Sequence, residues 1–319
     1  MFETPLFISP GLFFEQTLNG VFFGLILFMI ATGLTIIFGV LGILNLAHGE
    51  FYALGAFLVF SLGGALVGTV GPATGPMSIA IISLTGLLAV VLSAIVLLPV
   101  SALIEATIIR PIYERKEVYQ LLLTYALLLM MVDVFLYIWG GSPRRFSAVF
   151  DAVNQVPTTE LVGFNYPSYN IFAILIGIGV FGFLIWFFER TKTGRIVRAT
   201  AINREAATAM GVSTDRVFTL VFAMGGFFAG FAGAIHGAGA ISADVGMGTN
   251  PLVLSFVVIV IGGLGSIKGA FVGALLIGLA SRWAIMLYPP AELAAPFGIM
   301  IAVLLFKPEG LYGTWGEIE

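Results

Sequence analysis

Charge is what this sequence has least of. Only 10% of its 319 residues are Asp, Glu, Lys or Arg, and 59% are hydrophobic, whereas a soluble domain carries about 25% charged residues. This small number of charges cannot cover a water-exposed surface. The sequence therefore excludes an ordinary soluble protein and predicts lipid as the main solvent. The net charge is −3, and without a basic run nucleic acid is not an expected partner.

Cysteine is absent, which excludes disulfides and thiolate metal sites. No Lys or Arg precedes the first apolar run. We therefore expect no secretory signal there, and that run should be a membrane span. The motif G-x-x-x-x-G-K-[ST] is also missing, since Ile267 and Gly269 flank Lys268 at its nearest approach. ATP hydrolysis by this chain is therefore not expected.

Long apolar runs dominate what is present. A membrane-spanning helix needs about 20 apolar residues, and the sequence predicts about eight to ten of them. The expected fold is an all-α polytopic membrane protein, a single-domain bundle (residues 1–319) with broken helices and a cytoplasmic coupling helix. The third run is long and should bend at Pro99. The predicted spans are 16–38, 46–68, 78–109, 118–139, 169–189, 216–239, 252–265, 269–288 and 294–306.

Basic residues predict the orientation. Short loops rich in Lys and Arg stay in the cytoplasm, so both basic clusters should lie there. That places the N-terminus and the loop 140–168 outside, although Arg144 and Arg145 go against the rule. The clusters are Arg110, Arg115 and Lys116, and then Arg190, Lys192, Arg195, Arg198, Arg204 and Arg216.

Glycine is abundant, with 40 residues, and several lie four apart. Such spacing lets helix backbones approach closely in lipid. We expect tight packing within the chain, with a homodimer face as the alternative. The pairs are Gly226/Gly230, Gly233/Gly237 and Gly265/Gly269/Gly273. Two runs of the form G-x-L-G, at 39–42 and 262–265, favour helix breaks and leave open whether the halves of the chain are related.

A polar stretch, NLAHGE at 45–50, interrupts the apolar sequence. Asn45 can cap a helix starting near Leu46, which would place His48 and Glu50 in its first turn, on the cytoplasmic side. Polar groups within membrane spans are costly and often functional. Two interpretations stay open: a satisfied helix start, or a hinge or gate in a translocation path. One His and one Glu are too few ligands for a metal site.

The loop 190–218 is polar, basic and too long for a turn. A short amphipathic helix is predicted over Thr200–Met210, ended by Gly211. It would either dock a soluble partner or lie on anionic lipid.

Three segments carry a family resemblance. The stretch GLTIIFGVLGILNLAHGEFYALGA at 33–56 resembles the signature of the branched-chain amino acid permeases of bacterial ABC importers, in particular the LivH-type subunit. The stretch at 260–278 resembles their second glycine-rich block. Glu205-Ala206-Ala207 with Gly211 resembles the first half of the EAA motif, whereas Val221 and Met224 replace the Ile and Pro of its second half.

The resemblance implies a multi-pass permease of the bacterial inner membrane that is not itself an enzyme and carries no cofactor. Its partners would be a second, LivM-like permease, two cytoplasmic ATPases that bind ATP and Mg, and a periplasmic binding protein. Branched-chain or other hydrophobic amino acids are the expected substrates, with urea or short amides as the alternative. The expected ATPase-coupling residues are Arg204, Glu205, Ala206, Ala207 and Gly211.

Polar residues within the spans are candidates for lining the path. Each has a structural alternative: an interhelical hydrogen bond, a buried acid or a helix cap. Glu105 and Lys268 should snorkel to the cytoplasmic interface and Arg282 should pair or snorkel. The candidate path or gate residues are Asn45, His48, Glu50, Thr124, Asp133, His236, Asp244 and Asn250.

Two rival functions make different demands on the sequence. An ion-coupled secondary transporter would use Asp133 or Glu50 to carry a proton or Na⁺, but it has no need of a docking loop at 190–216. A channel would need a filter or a charged ring, and the sequence shows neither. The ABC permease is the favoured function.

Overall fold

The computed structural model describes residues 9–70, 75–156, 158, 166–239 and 241–313. Within them the regular structure is helical, and the β pairing is an isolated bridge between Arg144 and Ala243. Seven described helices are long and apolar enough to cross a membrane, and two shorter apolar helices accompany them. The all-α polytopic prediction is confirmed. Positions 157 and 159–165 of the predicted outer loop lie outside the described residues.

Twelve α-helices are described, and each predicted span corresponds to one of them. Pro99 lies inside α3, which continues through a π turn, Glu105–Ile109, and a 3₁₀ turn, Arg110–Ile112. The helices are α1 Pro10–Leu41, α2 His48–Gly68, α3 Pro76–Ile104, α4 Glu117–Trp139, α5 Ala148–Val153, α6 Ser168–Arg190, α7 Lys192–Ile202, α8 Arg204–Ala209, α9 Thr214–Gly237, α10 Thr249–Gly262, α11 Ile267–Leu287 and α12 Ala294–Phe306.

Helices α1 and α9 form the buried centre of the bundle. Helix α1 packs along α11, α9 and α10, and α9 packs along α2 and α3. Helices α4 and α6 lie at the periphery and expose most of their surface. Helix α2, which follows the polar stretch at 45–50, therefore packs against one of the two most buried helices.

Small residues make the central contacts. A β-carbon on Gly55 of α2 would collide with the backbone of Gly230 in α9, and one on Gly233 would collide with the backbone of Tyr52. In lipid, helices associate through this kind of close backbone packing. Within the described residues these glycines serve contacts inside the chain, as predicted.

Both G-x-L-G runs break the helices, as expected. Gly42 ends α1 with a φ of +69°, and α2 begins six residues later. Between α10 and α11, Gly263 and Gly265 have φ values of +99° and +81°. Glycine tolerates this left-handed backbone, which other residues adopt at a cost. Whether the two halves of the chain are related stays a prediction.

The C-terminal segment is hydrogen-bonded to the second helix break, between α10 and α11. The N–H of Leu311 donates to the carbonyl of Ile261 at 2.7 Å, and the N–H of Tyr312 to that of Gly262 at 2.9 Å. The last carbonyls of a helix lack partners within it, so residues after α12 satisfy the end of α10.

The two basic clusters meet at one end of the bundle, which we call the basic end. Arg110, after α3, donates to Thr219 near the start of α9, and Lys268 pairs with Glu189 at 3.1 Å. At the opposite, aromatic end, Trp139 donates to Ser61 at 2.8 Å. Tryptophan is typical of membrane interfaces.

Candidate functional site

The polar stretch forms a buried break between α1 and α2. Helix α2 begins at His48, two residues later than predicted, because residues 46 and 47 form a turn. Asn45 closes that turn rather than capping the helix: its Oδ1 accepts from the Ala47 N–H at 3.1 Å. Asn45, His48 and Glu50 are all fully buried.

His48 ties the break to the middle of α1. Its Nε2 donates to the carbonyl of Ile30 at 3.0 Å. A β-carbon on Gly33 would lie 2.9 Å from Cε1 of the imidazole, so glycine at 33 makes room for the ring. The histidine thus holds the first turn of α2 against a helix of the central core.

These contacts place the break well inside the bundle. Ile30 precedes the end of α1 by eleven residues, which is about 16 Å of helix. Gly33 also packs on Gly225, eleven residues after the start of α9. The first turn of α2 therefore lies inside the bundle, and its placement on the cytoplasmic side stays a prediction.

Glu50 is the buried acid of this region. Neither carboxylate oxygen has a hydrogen-bond partner among the described residues. Oε1 lies 3.1 Å from the position that a β-carbon on Gly248 would take. Burying an unpaired carboxylate is costly, and such groups inside membrane proteins commonly mark function.

The start of α10 lies opposite Glu50, about half-way through the bundle. Ala243 pairs with Arg144 at the aromatic end, and five residues later Gly248 packs on Gly49. Helix α10 has 14 residues, about 21 Å, and runs from there to the basic end. Helix α10 therefore crosses only about half of the bundle, and the chain segment that leads into it is irregular.

The entry to α10 is polar and exposed. Asp244, Thr249 and Asn250 are all exposed in the chain. Irregular backbone at membrane depth is tolerated only where it is covered by protein or lines a water-filled space. This surface is therefore not expected to face lipid.

His236 lies in the last turn of α9 and is buried. Its Nδ1 is hydrogen-bonded to the hydroxyl of Tyr52, and its ring packs edge-on against Phe22. These contacts connect α9 to α2 and α1, two residues further along α2 than Glu50.

The two candidate path residues on α4, Thr124 and Asp133, lie in different surroundings. Thr124 is buried, and its hydroxyl lies 3.3 Å from the carbonyl of Leu44, next to the polar break. Asp133 is nine residues further on and exposed. It makes no ion pair or hydrogen bond among the described residues. Asp133 is thus not the buried acid that one interpretation of the sequence suggested.

The loop 190–216 contains two helices where one was predicted. Helix α7 ends at Ile202, and α8 begins at Arg204. Asn203 is extended, with a φ of −151°, and its Oδ1 accepts from the Ala206 N–H at 2.8 Å. An asparagine that caps a new helix favours this break over continuation. Gly211, with a φ of +86°, follows α8.

Helix α8 presents the expected coupling residues at the basic end. Arg204, Glu205 and Ala206 are exposed, whereas Ala207 is buried. The guanidinium of Arg204 lies 4.8 Å from the ring centroid of Phe218. A cleft of about 440 Å³ adjoins it, lined by Arg110, Pro111, Tyr113, Glu114, Arg115, Arg204 and Asp215.

Of the three charged residues expected at interfaces, one is placed differently. Glu105 does not snorkel: it is fully buried and hydrogen-bonded to residues of α9 and of the turn after α3. Lys268 is exposed and paired with Glu189. Arg282 pairs, lying 3.8 Å from Glu292 and 4.8 Å from the centroid of Phe23. No cluster of three metal-ligating side chains occurs among the described residues.

Comparison with known proteins identifies the family. The model of the branched-chain amino acid transport system permease component matches residues 16–304. The chain belongs to this family. It is 28% identical over 312 residues to the high-affinity branched-chain amino acid transport system permease protein LivH of Escherichia coli K12, covering 96% of this chain and 97% of LivH. No solved structure matches.

Two further relatives differ in how much of the chain they cover. The branched-chain permease protein BraD of Pseudomonas aeruginosa is 26% identical over 96% of this chain and 97% of its own length. The fructose import permease protein FruF of Bifidobacterium longum is 30% identical over 44% of this chain and 40% of its own. The sequence-based resemblance is confirmed: the chain is an ABC permease subunit, non-catalytic and multi-pass in the inner membrane.

Proposed function

We propose that this chain is the LivH-type subunit of an importer for branched-chain and other hydrophobic amino acids. The observation that carries the proposal is the end-to-end match to LivH and BraD, at 96–97% of both chains. A second, LivM-like permease completes the pathway. Two cytoplasmic ATPases bind ATP and Mg, and a periplasmic binding protein delivers the substrate.

The translocation path runs past the start of α10. Its exposed Thr249 and Asn250 stand at half-depth, where a polar surface needs water or protein beside it. Asn45, His48 and Glu50 form the wall behind it, and their relative movement opens or closes the path. Thr124 supports this wall through its contact with Leu44. Asp244 and His236 lie toward the aromatic end, and Asp133, exposed on α4, stays a candidate path residue.

Coupling to ATP takes place at α8. Arg204, Glu205 and Ala206 present an exposed surface, and Gly211 fixes the turn into α9. When the ATPases close on ATP, α8 moves with them and shifts α9. The path then alternates between its two openings.

Uptake into proteoliposomes tests the substrate and the energy source together. The chain, its partner permease and the two ATPases are reconstituted, with ATP inside, binding protein outside, and labelled leucine and urea in parallel. ATP-dependent leucine uptake supports the proposal. Uptake of urea alone changes the substrate class, and uptake driven by an ion gradient without ATP overturns the mechanism.

Two substitutions, one on α8 and one in the turn that follows it, test the docking surface. Glu205→Lys and Gly211→Asp should abolish uptake and release the ATPases during purification, while the protein stays folded in the membrane. Glu309→Lys is the matched control, since Glu309 is exposed, follows α12 and lies outside α8. Normal uptake by both variants would exclude α8 and the turn after it as the docking element.

A further inference from the structure

A buried carboxylate joins α3 to α9 at the basic end. Glu105 opens the π turn after α3 and is fully buried. Arg110 donates to both of its oxygens, at 3.2 Å and 2.9 Å. The Tyr113 hydroxyl donates to Oε1 at 2.6 Å, and the Thr219 hydroxyl lies 2.7 Å from Oε2. We call these four residues the Glu105 cluster.

The cluster is fully satisfied and therefore resistant to rearrangement. Burial, together with the bond to Glu105, raises the pKa of Tyr113 above its ordinary value, so its hydroxyl remains a donor. Removing one partner of a buried, hydrogen-bonded charge leaves the other uncompensated and costs much more than an exposed pair would. The carboxylate thus fixes the end of α3 to Thr219, in the second turn of α9.

The cluster is also in contact with the coupling helix. Phe218, next to Thr219, packs edge-on against Tyr113 with ring centroids 5.2 Å apart. The guanidinium of Arg204, the first residue of α8, lies over the ring of Phe218. A continuous series of contacts therefore leads from α8 through Phe218 and Tyr113 to Glu105. Coupling between sites needs a contiguous element of this kind that moves as a unit.

We infer that Glu105 is a positioning residue that makes α8, the start of α9 and the end of α3 move as one rigid body, so that movement of the ATPases reaches α3 as well as α9. The inference rests on the proposed function, because it takes α8 as the docking element. π turns inside helices are rare and frequently lie at functional positions.

Two threonines offer a matched test. Thr219 and Thr107 both bond a carbonyl four residues back, Asp215 and Leu103 respectively, but Thr219 also contacts Glu105. Thr219→Val should lower leucine uptake per ATP hydrolysed about tenfold, the scale of one lost hydrogen bond to a charged group. The co-purified ATPase should stay unchanged. Thr219→Ser should restore coupling, and Thr107→Val should behave as wild type.

A distance measurement provides a readout independent of the substrate. The chain has no cysteine, so spin labels at Thr107→Cys and Thr208→Cys report the separation of α3 from α8 in the whole complex. That distance should be the same with and without ATP, and should broaden or change with ATP when Thr219→Val is added. Glu105→Gln should act like Thr219→Val, more severely.

The outcomes of these experiments distinguish the role of the Glu105 cluster from the docking role of α8. Loss of ATPase from Thr219→Val would assign the cluster to assembly and overturn the inference. Wild-type coupling in both Thr219→Val and Glu105→Gln would do the same. Failure of Glu205→Lys to release the ATPases would instead count against the docking role of α8.

Discussion

The carboxylate of Glu50 points at the start of α10, with Oε1 lying 3.1 Å from where a β-carbon on Gly248 would be. Glu50 is the third residue of α2, and Gly248 directly precedes α10. Helix N-termini carry partial positive charge, so two helix starts favour an anion at this point even without a direct partner. Any side chain at 248 would displace either Glu50 or the backbone of Gly49.

Neutralising Glu50 should impair transport without unfolding the protein. Glu50→Gln keeps the shape but removes the charge that faces two helix starts. We expect ATP-dependent leucine uptake to fall about tenfold or more, the upper end of the scale for a charge lost from a helix terminus. Membrane levels should be normal, and Glu15→Gln, an exposed acid on α1, is the control. Full uptake by Glu50→Gln would make Glu50 a structural residue only.

The start of α10 should be reachable from water. Asn250→Cys, as the only cysteine in the chain, should react with a charged thiol reagent in the assembled complex, because the path hydrates this surface. Leu84→Cys should not react, since Leu84 is 70% exposed on an apolar face of α3 and is expected to lie in lipid. Equal, negligible labelling at both positions would place Asn250 away from the path.

Substitution by alanine should have opposite effects on protein stability at two glycines of α2. Gly55→Ala places a β-carbon against the backbone of Gly230, whereas Gly64 has open space around it. Overpacking of this kind costs about 1–3 kcal/mol, so Gly55→Ala should lower the thermal unfolding temperature in detergent. Gly64→Ala should leave it unchanged or raise it, because alanine favours helix over glycine by about 1 kcal/mol. Equal temperatures for both would contradict the packing of α2 on α9.

Length and hydropathy were enough to locate the seven described helices that are long enough to cross a membrane, because a run of about 20 apolar residues leaves few alternatives to a membrane helix. The glycine runs likewise predicted both helix breaks, since left-handed backbone favours glycine. The depth of the polar stretch within the bundle was not predictable in the same way. The position of the NLAHGE segment depends on His48 reaching Ile30 and on Gly33 meeting Gly225, and contacts between distant residues leave no local pattern.

The same limit explains the errors on single charged residues. Glu105 resembled a snorkelling acid near the end of a span, and only its contact with Thr219, 114 residues away, shows why it is buried. Asp133 resembled a core acid because apolar residues surround it in sequence, but it lies on the exposed face of α4. One signal was available: Arg110 and Tyr113 follow Glu105 closely enough to pair with it.

The break in the coupling loop depends on Asn203. Asn203→Ala removes the oxygen that accepts from the Ala206 N–H, and loss of such a cap costs about 1 kcal/mol. Helix α8 has only six residues, so this cost should fray it, and the amides of 204–209 should exchange hydrogen about fivefold faster. Less ATPase should then co-purify, because the docking surface is ordered for less of the time. Asn203→Asp keeps the acceptor and should match wild type in both measurements. Unchanged exchange in Asn203→Ala would mean that packing against α7 and α9, rather than the cap, holds α8 in place.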